Sequence, residues 1–97
     1  MITITIKIEN KTINKIFFSG HVQPIVCAAI SVLLPATLNY IYLLEQDTID
    51  YIDENGQSII QVLQNTQYNQ MFLQQMIKML EDIQEQYPQD IIIKEES

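Results

Sequence analysis

The sequence predicts an α+β sandwich, a single domain over residues 1–97 in which a mixed or antiparallel sheet packs against two helices in the order ββαββαβ. Three observations carry this. Ile2, Ile4, Ile6 and Ile8 alternate with Thr3, Thr5, Lys7 and Glu9 at the start of the chain. Asn55-Gly56, the pair preferred in a tight type I′ connection, separates two strand-like stretches. Two longer segments, one apolar and one amphipathic, follow helical rather than strand periodicity.

Met1 to Glu9 reads as a strand with one buried face, because apolar side chains at a spacing of two all point the same way. Asn10-Lys11 turns the chain into a second strand, Thr12 to Phe18, that pairs back as a hairpin and ends at Gly20-His21. From Ile25 to about Glu45 the residues are apolar around nearly the whole circumference, the mark of a helix covered on more than one side. Pro24 suits its first position, where no N–H is needed. Pro35 lies inside and is expected to kink the helix near Leu34 or split it, and Glu45 and Asp47 disfavour its continuation through the dipole. Asp50 to Glu54 and Gln57 to Leu63 form the central hairpin. After the polar stretch Gln64 to Gln67, a second helix runs from about Tyr68 to Gln86, with Phe72, Met76, Met79, Leu80, Ile83 and Tyr87 on one stripe. Tyr87-Pro88 stops it, and Asp90 to Glu95 is a last short strand.

Composition narrows the function. Twelve acids against five lysines and no arginine give a net charge of -7, which repels phosphate backbones and speaks against direct nucleic-acid binding, while basic protein partners are compatible with it. The first residues alternate instead of forming a signal-peptide core, and no run of eighteen apolar residues occurs, so no membrane association and a cytosolic location are expected. One Cys excludes an internal disulfide, and one His with one Cys is too few for a structural zinc site; no metal or other cofactor is expected.

The chemistry concentrates in Ser19 to Ser31. The only His and the only Cys, His21 and Cys27, are separated by five residues, and the Cys falls in the first turn of the apolar helix. Free backbone N–H groups and the positive end of the dipole stabilise a thiolate there, and a nearby imidazole can act as ion-pair partner and general acid. Spacing alone leaves the bland alternatives open, since a lone Cys is commonly an inert buried hydrophobe and a lone His structural.

Gly20-His21 followed by Ile25-Val26-Cys27-Ala28-Ala29-Ile30-Ser31 resembles the signature of the bacterial ribosomal-processing cysteine protease family, and Tyr87-Pro88 leading to Ile93-Lys94-Glu95-Glu96 is similar to the family's ending. The resemblance extends over essentially the whole chain. It implies a homodimeric cytosolic endopeptidase that removes the N-terminal extension of large-subunit ribosomal protein number twenty-seven. By position it implies Cys27 as nucleophile, His21 as general base and acid, Gly20 as the turn glycine and Ser31, one helical turn on, as a supporting group. Backbone N–H groups around Cys27 and Val26 are the expected oxyanion donors.

The sequence departs from that pattern in two places. The segment between His and Cys is shorter than the family's, and Pro24 stands where the family has an Asp three residues before the nucleophile. A degenerate site on the same scaffold, binding a peptide or a ribosomal protein without turnover, is therefore the alternative. Ser31 has an equally plain reading as a helix residue bonding back to the carbonyl four residues earlier. Met71, Met76 and Met79 with Phe72 read as core or as an adaptable peptide groove, and Asp47, Asp50, Asp53 and Glu54 as a solvated rim or an attractor of basic protein.

Overall fold

The computed structural model describes residues 1–97. The elements are β1 (Ile2–Glu9), β2 (Thr12–Ser19), α1 (Pro24–Leu44), β3 (Ile49–Glu54), β4 (Gln57–Val62), α2 (Gln67–Gln86) and β5 (Ile91–Glu96), the order expected from the sequence. They build one five-stranded sheet in the order β3-β4-β2-β1-β5. Only β5 runs parallel to its neighbour, so the sheet is mixed. Both hairpins turn through two residues of positive φ, Asn10 and Lys11 in the first and Asn55 and Gly56 in the second, as a type I′ connection requires.

Ile2, Ile4 and Ile6 of the interior strand β1 are buried beside Ile13, Ile16 and Phe18 of β2, Ile60 of β4 and Ile91 of β5. This inner face meets Val26, Ile30, Leu34, Leu38 and Ile41 of α1 and Leu73, Met76 and Leu80 of α2. The outer face carries no helix. There Lys7 and Lys15 lie over the ring of Phe17 at 5.7 and 5.4 Å, their stems covering its apolar surface.

Three expectations need correction. First, α1 is covered on one side only: Ile25, Val32, Leu43 and Leu44 are each more than half exposed, because α2 and the sheet take one face and no element reaches the other. Second, α1 runs unbroken through Pro35. The loss is confined to the Ser31 carbonyl, which has no amide at residue 35 to accept from. By length and composition α1 could cross a membrane, with a mean hydropathy of 1.8 over eighteen residues, yet a third of that stretch is buried against the rest of the fold. Third, the stripe on α2 is turned from the expected one. Leu73, Met76 and Leu80 are buried, but Met71 and Met79 are exposed, and Phe72 stacks on Tyr40 of α1 with ring centroids 6.0 Å apart.

The turn of α2 brings two amides inward. Asn69 completes a capping box with Thr66, and the Thr66 hydroxyl donates to Glu45 at the end of α1 at 2.6 Å. Glu45, unfavourable for its own helix, thus sits at the positive end of the next. Gln70 meets an irregularity in the β1–β2 ladder, where the register shifts after Lys7 so that Ile8 faces Ile13. Its Oε1 accepts from the Ile13 N–H and its Nε2 donates to the Ile13 carbonyl, both at 2.9 Å, so the side chain does the work of a missing strand neighbour. Gln70→Leu is expected to leave both backbone groups buried and unpaired and to destabilise the protein by about 2–4 kcal/mol, read from urea unfolding midpoints.

Candidate functional site

Local sequence sets where the thiol and the imidazole lie. The strand β2 ends at Ser19, Gly20 turns at φ +97, and the next residues run directly into α1 with Pro24 at its start. A Cβ on Gly20 would collide with the Met1 carbonyl oxygen, so only glycine lets the end of β2 pass beside the start of β1. The Met1 nitrogen then donates to the His21 carbonyl at 2.8 Å, and Gln23 Nε2 donates to the Asp90 carboxylate at 2.6 Å. Short as it is, the His-to-Cys segment is therefore tied at His21 and Gln23 to the residues that precede β1 and β5.

A cleft of about 360 Å³ opens at this junction. Cys27, Ile30, Ser31, Leu34 and Pro35, spaced along one face of α1, form one wall. Phe18, Gly20 and His21 lie at the end of β2, and Tyr51, Asp53 and Ser58 of the β3–β4 hairpin form the opposite wall. The structure thus places Gly20, His21, Cys27 and Ser31 on one cleft. It does not place Val26 there: that side chain is buried in the core and does not line the opening.

Cys27 is half-buried and its thiol donates to the Val22 carbonyl at 3.4 Å. His21 is exposed at the cleft mouth. The N–H groups of Val26 and Cys27, the expected oxyanion donors, both point to the Gln23 carbonyl at 3.2 and 3.3 Å. Pro24 has no N–H, which leaves the Ile25 amide as the donor of the first turn without a backbone acceptor. No group of His, Cys, Asp and Glu is arranged to hold a metal ion.

Sequence reasoning singled out Asp53 for its charge but did not place the hairpin, with Tyr51 and Ser58, as a wall of the site. The signal was present, because Asn55-Gly56 fixes a register that sets Asp53 against Ser58, and alternation then turns Asp53 and Tyr51 to the same face as buried Ile49. The Met-rich face of α2 contributes nothing to the cleft.

A small α+β domain that offers a thiol from the first turn of a helix and an imidazole across the same cleft has the design of a cysteine hydrolase. The chain belongs to the cysteine protease Prp family, whose model matches residues 1–92. It is similar to the Staphylococcus aureus ribosomal processing protease Prp in complex with a covalently linked product peptide, with a TM-score of 0.88 and 30% identity over 99% of this chain and 100% of that one. The same S. aureus protease with a substrate peptide matches at a TM-score of 0.83 and 25% identity, over 99% and 100% of the two chains. SMU.848 of Streptococcus mutans shares the fold at 20% identity and a TM-score of 0.81, over 98% and 93%. No curated protein sequence matches the chain.

The two glycines allow a direct check of the junction. Gly20→Ala combines positive φ with a backbone collision and is expected to cost about 3 kcal/mol or more, whereas Gly56→Ala meets only its own φ of +74 in open space and is expected to cost about 1 kcal/mol. Thermal unfolding of the two variants side by side reads the difference.

Proposed function

We propose that this protein is a cysteine endopeptidase that removes the N-terminal extension of large-subunit ribosomal protein number twenty-seven through a Cys27–His21 dyad. The observation that carries the reading is the placement of Cys27 and His21 on one cleft in a chain of this family. The peptide-bound S. aureus protease, 30% identical over nearly the whole chain, supports a peptide as the ligand. The location is the cytosol, where ribosomal proteins are made.

In this reading the Cys27 sulfur leaves the Val22 carbonyl, loses its proton to His21 and attacks the scissile carbonyl carbon, forming a C–S bond. The oxyanion is met by the free Ile25 amide at the helix start. His21 returns its proton to the leaving amine as the C–N bond breaks, then takes one from water, which cleaves the thioester and frees the sulfur. Ser31, one turn along α1 from Cys27 and on the same wall, is placed to hold the peptide by its hydroxyl.

The protein works as a homodimer through the outer face of α1. Ile25, Val32, Tyr40 and Leu43 are exposed there, and no charged residue occurs from Gln23 to Leu44, so a copy of this face meets no like charge on a molecule that is otherwise acidic. Val32→Glu is expected to give a monomer by light scattering; a native chain that is monomeric at the same concentration removes the dimer.

The short His-to-Cys segment and the thiol's bond to Val22 favour a second reading, a peptide-binding module without turnover. Mass spectrometry of the protein with a peptide copying the ribosomal protein's N-terminus separates the two. Cleavage is expected, lost by at least a thousandfold in Cys27→Ala and in His21→Ala. Equal binding by the native chain and Cys27→Ala, without product, establishes the module instead.

A further inference from the structure

We propose that Asp53 is a specificity-determining residue of the cleft, selecting peptides that carry a lysine or arginine beside the apolar residue held against α1. The inference rests on the reading above for the choice of a peptide as ligand.

Register places the carboxylate. Phe18 of β2 faces Ser58 of β4, and Ser58 faces Asp53 of β3, so the three lie in one row across the inner face of the sheet. Phe18 is buried, Ser58 half-buried and Asp53 exposed, a gradient from core to rim over two strand spacings, about 10 Å. Asp53 is the one carboxylate among the residues that line the cleft, and the wall facing it is Ile30, Leu34 and Pro35. The Tyr51 hydroxyl donates to Ser58 Oγ at 3.2 Å, which holds that ring beside the row. A lysine or arginine stem can lie along Tyr51 and Ser58 and bring its charged head to Asp53 at the water-facing rim.

No lysine of the chain reaches this wall. Lys7 and Lys15 are held over Phe17 on the opposite face, Lys94 stands opposite Thr5 at the far side of the sheet, Lys11 lies in the first turn and Lys78 on α2. The other ionisable groups at the cleft, His21, Cys27 and the N-terminal ammonium bonded to the His21 carbonyl, belong to the β2 and α1 sides, so on the hairpin wall a negative charge admits a cation, tolerates an apolar side chain and repels an acid.

Ten-residue peptides with a central phenylalanine, and with lysine, norleucine or glutamate walked through the other positions, test this on the full-length protein. At one position lysine is expected to exceed norleucine in kcat/KM by about three- to tenfold, with glutamate lowest. Asp53→Asn is expected to level the series and Asp53→Lys to invert it, while Glu54→Gln, on the neighbouring outward residue, leaves it unchanged. The same peptides bearing fluorescein are titrated against Cys27→Ala by fluorescence anisotropy, which reads selectivity without cleavage. A lysine preference in binding that Asp53→Asn abolishes upholds the inference even where no peptide is cut, a result that overturns only the peptidase reading. A series without lysine preference, or one that survives Asp53→Asn, overturns the inference.

Discussion

Everything in this molecule leans on the one-sided burial of β1. Its isoleucines at positions 2, 4 and 6 are buried while the residues between them face outward, and the strand is paired on both flanks, by β2 and β5. A one-residue slip would turn the apolar row to water and the threonines into the core, so the register is strongly held. That register in turn sets the end of β2 beside the first residue of the chain and fixes where the His-bearing turn leaves the sheet. The site is thus positioned by core packing, with the short connecting segment contributing little freedom of its own.

Much of the fold was legible because it follows from local periodicity. Alternation gives β1, Asn55-Gly56 gives the central hairpin, and Tyr87-Pro88 ends α2 close to where the structure ends it. The errors arose where burial depends on what is absent or on a distant partner. The apolar circumference of α1 suggests two covered sides, yet the fold has only one layer to cover it. Nothing in the local pattern of α2 marks Gln70 as an inward residue, and only the unpaired backbone of Ile13, fifty-seven residues earlier, gives it a reason to be inside. Glu45 looked misplaced for the same reason: its partner Thr66 belongs to another helix.

The site shows the same division. Gly20, His21, Cys27 and Ser31 fall within a dozen residues, so a motif could find them, and the structure gathers them on one cleft. The hairpin wall comes from residues some thirty positions later and becomes visible only once β4 is known to pair with β2. The N–H groups of Val26 and Cys27 point to the Gln23 carbonyl for a local reason, since a helix without a side-chain cap satisfies its first amides with that backbone oxygen.

The topology has a consequence for how the protein emerges during synthesis. The first strand made is completed by the last, because β5 adds alongside β1 at the sheet's edge. Until residues 91–96 have cleared the translating ribosome, the oldest part of the chain keeps an open hydrogen-bonding edge, and the segment bearing His21 is missing its anchor at Asp90. Nucleophile and imidazole are thus synthesised early but braced late.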